Sequence, residues 1–168
     1  VTMCDVFPIE DGVPWNFVFG QARVFGPGVF SFARYFPGAR QPLLWDEAKG
    51  VAAGAYDEVF DGGAVPPLAS ADARALMLRR SCKVLTHEIS HIFGVKHCIY
   101  YECLIAGCNH LTEFDKRPLF LCPVDMRKLH CALGFDVADR YRALGALCDE
   151  FGWVDDAAWI TGRLAALE

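Results

Sequence analysis

His87-Glu88-Ile89-Ser90-His91 sets two imidazoles four residues apart, with a carboxylate directly after the first. On a helix that spacing brings both rings to one face, one turn apart, so both can reach a single metal ion. Glu88 is adjacent to a ligand without being needed as one, which suits a general base that takes a proton from an attacking water. Gly94 follows His91 by three residues, and His97 follows Gly94 by three. Glycine tolerates positive φ, so the chain can turn out of the helix at Gly94 and bring His97 back as a third ligand. Three protein ligands leave one zinc position open, as a catalytic site requires. The pattern predicts a catalytic zinc on His87, His91 and His97 and hydrolysis of an amide bond, with peptides as the substrate.

A second group of metal-binding residues lies beside the first. The chain has eight cysteines, and Cys98, Cys103, Cys108 and Cys122 fall close together, starting directly after His97. Four disulfides are one reading, but a chain this large and apolar does not need them, and clustering among histidines favours metal. A closed structural zinc that pins the loop after His97 is the sharper expectation; buried unligated cysteines are the plainer one. If Pro123 opens a helix, Cys122 sits at its N-terminus, where the helix dipole favours a thiolate.

The elements that must hold these residues can be read around them. From about Ser70 to Phe93 apolar and ligand positions recur at three- and four-residue spacing, with Ser70 as N-cap and Gly94 as the stop. Phe17–Ala22, Val29–Tyr35 and a stretch near Val51–Tyr56 predict strands, set in a region from 36 to 67 otherwise read as loop. Residues 95 to 122 read as irregular. Pro123 suits the first position of a helix ending near Gly134, Asp136 caps another, and a last helix is expected over Asp156–Leu167. Strands, then a central helix, then helices imply an α+β fold, and 168 residues imply one domain.

Composition narrows the partners. A net charge of −5 argues against nucleic acid and against an anionic membrane, since both want a basic surface. No apolar run approaches a membrane span, and Val1–Pro14 lacks the pattern of a signal peptide. The chain begins at Val1 rather than Met, as a trimmed chain would, so a targeting segment ahead of it stays open. A monomer in the cytoplasm is the expectation, with reduced thiols free to bind metal.

The segment His87 to Leu129 resembles the archaemetzincins, the archaelysin-family peptidases of the metzincin clan, whose pattern is HExxHxxGxxHC, then CxM, then CPxC. This chain has THEISHIFGVKHC, then CLI at Cys103–Ile105, then CPVD at Cys122–Asp125. The likeness continues more weakly into WNFVFGQA and GVFSFARY upstream and GFDVADRYRAL downstream. It implies a metzincin-like zincin domain: a mixed twisted sheet and active-site helix (about 1–94) above a smaller helical C-terminal subdomain (about 95–168). It also implies a zinc-dependent, aminopeptidase-like peptidase and a second zinc on four cysteines. Two positions depart from the pattern. Ile105 stands where metzincins carry a methionine beneath the zinc, keeping an apolar floor without the thioether. Asp125 stands where the fourth cysteine belongs; it can ligate through oxygen one helical turn from Cys122, and Cys108 is the alternate. The competing readings are a zinc-binding module of the same fold without turnover, and an interaction protein whose metals only hold the fold. GVFSFARY is expected either as a sheet edge that pairs with an extended peptide or as a core strand.

Overall fold

The computed structural model describes residues 1–2, 6, 18–32, 35, 44–46, 51–53, 70–108 and 111–167. Its spine is α1, Ala71–Ile92. The chain enters it extended at Ser70, whose hydroxyl accepts the Ala73 N–H at 3.0 Å and satisfies one of the four donors that a helix start leaves open. It leaves at Phe93, and Gly94 follows with φ +81°, a conformation that residues with a Cβ rarely adopt. Ser70 and Gly94 thus do what their types foretell.

Among the described residues two short antiparallel strand pairs precede the helix. β1 (Gly20–Ala22) pairs antiparallel with β2 (Gly28–Phe30) in the register Gly20 to Phe30 and Ala22 to Gly28, and β3 (Leu44–Asp46) pairs antiparallel with β4 (Val51–Ala53). Isolated bridges add Thr2 parallel to Ser31 and Val6 antiparallel to Val18, so pairing of both senses meets around the first hairpin. Phe30 and Phe32 give their backbone groups to Thr2, and Ser31 donates to the Phe19 carbonyl. GVFSFARY is therefore flanked on both sides at 30–32 and is not a free edge there; its residues 33–34 lie outside the described ones, as do 54–56 of the strand expected near Val51–Tyr56.

Among the described residues four further helices follow. α2 (Leu111–Lys116) lies within the stretch read as irregular, and β3 within the stretch read as loop. Both are too short for a periodic pattern to register. α3 (Pro123–Leu133) starts with proline at its first position and ends at Gly134, φ +70°. α4 (Val137–Glu150) is capped by Asp136, whose carboxylate accepts the Asp139 N–H at 2.8 Å. α5 (Val154–Ala165) begins and ends two residues earlier than expected, and Trp153 at its cap offers no side-chain bond.

Buried apolar residues form two clusters. One joins Phe30 and Tyr35 to Met77 and Val84 of α1 and to Leu111 and Phe114 of α2. The other gathers Val95, Leu104, Ile105, Leu121, Met126, Tyr141 and Ile160, from the segments between α1 and α3 and from the last three helices. Polar tethers fix α1 between them. Arg79 grips Asp156 of α5 with Nε and Nη2 at 2.9 and 3.1 Å, and Arg80 grips Asp115 of α2 at 2.8 and 2.5 Å. Lys83, wholly buried, donates to the carbonyls of Phe114, Asp115 and Arg117. Among the described residues no helix is long and apolar enough to cross a membrane.

Candidate active site

His87 and His91 leave the same face of α1, and the turn at Gly94 returns His97 to them. His87 Nε2 lies 3.0 Å from His91 Nε2 and 3.1 Å from His97 Nε2. The backbone decides which nitrogen of each helix-borne ring carries the proton. His87 Nδ1–H donates to the Leu104 carbonyl at 3.0 Å, and His91 Nδ1–H donates to the Val95 carbonyl at 2.7 Å. With Nδ1 protonated in a neutral ring, Nε2 has only a lone pair to offer. Burial pushes the His87 imidazole down to about 3; the Leu104 carbonyl opposes this, and His91 and His97 reinforce it. Burial likewise lowers His97, with help from His91 and Arg117. Neutral rings that point bare nitrogens at one another repel unless a cation sits among them. Two nitrogens bound to one zinc at about 2.0–2.1 Å in a tetrahedral arrangement would stand about 3.4 Å apart, close to the spacing seen. The donor set, tautomers and spacing all fit a zinc ion.

Glu88 points into a pocket of about 340 Å³ that it shares with His87 and His97. Glu88 is 5% exposed, and burial pushes its carboxyl pKa up to about 7. β1 passes directly over it. A Cβ on Gly20 would fall 2.6 Å from the Glu88 Cγ, Cδ and Oε1, so only glycine leaves room for the carboxyl where it stands.

The segment Cys103–Gly107 forms the floor. The Leu104 carbonyl accepts the His87 Nδ1–H bond, Ile105 beside it is wholly buried, and Gly107 lies against the His97 ring, where a Cβ would meet Nδ1 at 3.2 Å. Arg117, just past α2, donates Nη1 to the Ala106 carbonyl and Nη2 to the Gly107 carbonyl and lines the same pocket.

The second group assembles on the other side of this floor. The ligand atoms of Cys98, Cys103, Cys122 and Asp125 lie within 4.8 Å of one another. Cys98 Sγ is 3.9 Å from Cys122 Sγ, and Asp125 Oδ2 is 3.2 Å from Cys122 Sγ and 3.6 Å from Cys103 Sγ. Backbone N–H groups point at the sulfurs: Cys122 N–H at Cys103, 3.1 Å, and Asp125 N–H at Cys122, 3.4 Å. Both would favour thiolates. Asp125 Oδ1 takes Lys128 Nζ at 2.7 Å, which leaves Oδ2 for the sulfur side. Burial raises the Asp125 carboxyl, but the bonds from Lys128 and the thiols outweigh it and hold the pKa below the usual range. Cys108 is not in this group. It lines the catalytic pocket beside Arg117, and burial pushes its thiol up to about 11. Of the two fourth-ligand candidates, Asp125 lies with the three cysteines, whereas Cys108 lies in the pocket with Phe114 and Arg117.

The peptidase family M54 model matches residues 52–131, a span that contains both groups of candidate ligands. Archaemetzincin-2 of Pongo abelii is 45% identical over 93% of this chain, and that of Homo sapiens 44% over 93%. The chain belongs to the archaemetzincin family. It spans 40% of the length of those two archaemetzincins. Among solved structures, an archaemetzincin from Methanopyrus kandleri aligns with a TM-score of 0.47 at 28% identity, over 74% of this chain and 49% of that one.

Sequence reasoning missed Gly20, Arg117, Gly107 and Lys128. Gly20 leaves a faint signal, a glycine inside a strand pattern, which marks a close approach of something. Lys128 three residues after Asp125 is a readable helix pair. Arg117 carries no signal, because its role depends on a fold that places it beside His97.

Proposed function

We infer that this archaemetzincin chain is the catalytic portion of a zinc-dependent peptidase, holding zinc on His87, His91 and His97. The observation that carries this reading is the three Nε2 atoms converging beside the buried Glu88 carboxyl. Zinc in that position would polarise the scissile carbonyl and make water a better nucleophile at neutral pH. Glu88 takes a proton from the water as its oxygen attacks the carbonyl carbon. It then delivers that proton to the amine as the C–N bond breaks, leaving a carboxylic acid and a free amine. A pKa near neutrality suits a group that must both accept and return a proton. Among the described residues no fourth His, Cys, Asp or Glu joins the histidine group, which favours an open catalytic site over a closed structural one.

The sulfur group has four members, the number of a closed structural site, and we assign a second zinc to Cys98, Cys103, Cys122 and Asp125. The metzincin-like arrangement belongs to the same reading: one domain, an upper part to about 94 and a lower part from about 95. So do an aminopeptidase-like preference and a monomer in a reducing compartment, where thiols stay free for metal.

The test is Glu88→Gln. Zinc content should be unchanged, while peptide hydrolysis falls by about 10²–10⁴-fold, the usual worth of a general base. Full turnover in the variant, or loss of its zinc, would sink the assignment. A wild-type protein that binds zinc but cleaves no peptide would leave the module without turnover as the better account.

A further inference from the structure

Three arginines project into the core around the site, and they are not treated alike. Arg79 and Arg80 each hold an aspartate with two nitrogens. Arg117 is as buried as Arg80, both 8% exposed, yet no carboxylate among the described residues grips it. The carboxylate beside it is Glu113, 3.9 Å away and half exposed, which is beyond hydrogen-bond length. Two of its five N–H groups go to the carbonyls of Ala106 and Gly107. Glu88 lines the same pocket. A buried cation held by two carbonyl dipoles, the neighbouring Cys108 thiol and one half-exposed carboxylate at 3.9 Å is weakly compensated, and a ligand carboxylate would complete its coordination.

The rest of the pocket fits such a ligand. Phe19, Val84 and Phe114 wall it, giving an apolar sleeve around a cationic group, with His87, Glu88 and His97 on the same lining. At about 340 Å³ it has room for one residue and little more. Behind this lining the Tyr35 ring packs on Phe19 and Phe114, and its hydroxyl is buried without a partner among the described residues. Position relative to the reaction follows from Glu88. It returns its proton to the leaving amine, so the pocket that shares its wall lies on the leaving-group side.

We propose that this pocket is a carboxylate-recognising subsite in which Arg117 takes the anion, so that cleavage is favoured before a residue that carries a carboxylate. The inference rests on the peptidase reading. The carboxylate has two sources: a glutamate or aspartate side chain directly after the cleaved bond, or the α-carboxylate of a final residue there.

Four matched peptides separate the sources: glutamate or glutamine after the cleaved bond, each with a free or an amidated C-terminus directly on that residue. A ratio in kcat/KM of at least about tenfold is expected for glutamate over glutamine, or for free over amidated, the worth of one charge-assisted bidentate pair. Arg117→Gln should bring that ratio close to one, whatever its absolute rate. Equal rates for all four peptides in the wild-type protein overturn the proposal, and so does an undiminished ratio in Arg117→Gln. Equilibrium binding of the same peptides to Glu88→Gln protein gives a readout without turnover. Tighter binding of the carboxylate peptides by about tenfold supports the subsite, and equal binding overturns it. If the wild-type protein cleaves none of the peptides but the binding difference stands, the hydrolase reading falls and the carboxylate subsite remains. Should Arg117→Gln fail to fold, the wild-type ratio and the binding difference still decide the question.

Discussion

At the scale of single residues, the geometry around Glu88 separates what stabilises from what catalyses. A methyl on Gly20 would press on the far end of the Glu88 side chain, not on backbone. A flexible carboxyl can move aside cheaply, so Gly20→Ala should leave zinc content unchanged and the melting temperature within a few degrees. Catalysis is less forgiving, since a displacement of about 1 Å in a reacting group can cost about 10²-fold. We expect kcat to fall by about 10- to 100-fold with KM little changed, measured on one good peptide. Normal kcat would mean that Glu88 works from another rotamer and that the close approach of β1 is incidental. The convergence of His87 with His91 and of Cys122 with Asp125 was legible in the sequence because each pair is spaced by about a helical turn, four residues and three. Gly20 and Arg117 were not, because each acts on a partner far away in the chain, and only the fold brings them together. Asp125 and Cys108 show the same limit. Helix spacing from Cys122 favoured Asp125, but the loop path that carries Cys108 away from the other cysteines could not be read from the sequence.

At the scale of elements, α1 is built to be held as well as to hold. Its apolar face packs on the first hairpin and α2, while Arg79, Arg80 and Lys83 tie it to α5 and α2. Lys83 gives this arrangement a pH signature. Burial is the largest influence on its ammonium and brings the pKa from 10.5 down to about 8. Between those values the unfolded chain keeps a proton that the folded chain has released, so the Lys83 contribution to stability rises with pH across that window. Thiols that titrate in the same range are common to wild type and a Lys83 variant, and they cancel in the difference. Wild type should therefore gain on Lys83→Met by on the order of 3 kcal/mol from pH 8 to pH 10.5, read from denaturant unfolding. Parallel stability curves would show that Lys83 keeps its proton on the three carbonyls throughout. The element ends were readable wherever a single residue type decides them: Ser70, Gly94, Pro123, Gly134 and Asp136 all stand at helix boundaries. The six-residue α2 was not readable, since it ends before Pro118 and shows less than two turns of pattern. That short helix carries Phe114 and Asp115 and delivers Arg117 to the pocket, so missing it also meant missing one wall of the site.

At the scale of the whole molecule, the two proposed metal sites should differ in what they do for stability. The histidine ligands come from α1 and the turn that follows it, a local stretch of eleven residues whose helix is already capped and packed. The other group joins Cys98 and Cys103, in the loop beneath the active site, to Cys122 and Asp125 at the start of α3. Zinc there would fasten that floor, and with it the carbonyl that orients His87, to the helical C-terminal part. A metal that binds only the folded state adds about 2.7 kcal/mol when present at 100 times its dissociation constant. For a chain of this size each kcal/mol moves the melting temperature by about 2–4 °C. Emptying the sulfur-rich site should therefore lower the melting temperature by about 5–10 °C, whereas emptying the histidine site should abolish turnover with a smaller shift. The mixed ligand set supplies a way to separate them. Carboxylate oxygen is a weaker zinc donor than thiolate, and Asp125 shares its charge with Lys128 at 2.7 Å, so a graded chelator should find this site weaker than four thiolates would make it. Asp125→Ala should carry one zinc per chain instead of two and melt near the partly stripped wild type, while Asp125→Cys should resist chelator better than either. Two zinc ions in Asp125→Ala, with an unchanged melting curve, would show that three thiols suffice and that Asp125 serves only to pair with Lys128 in the first turn of α3. A single zinc in the wild-type protein, lost together with turnover, would show that the floor is held by packing of Leu104, Ile105 and Leu121 alone.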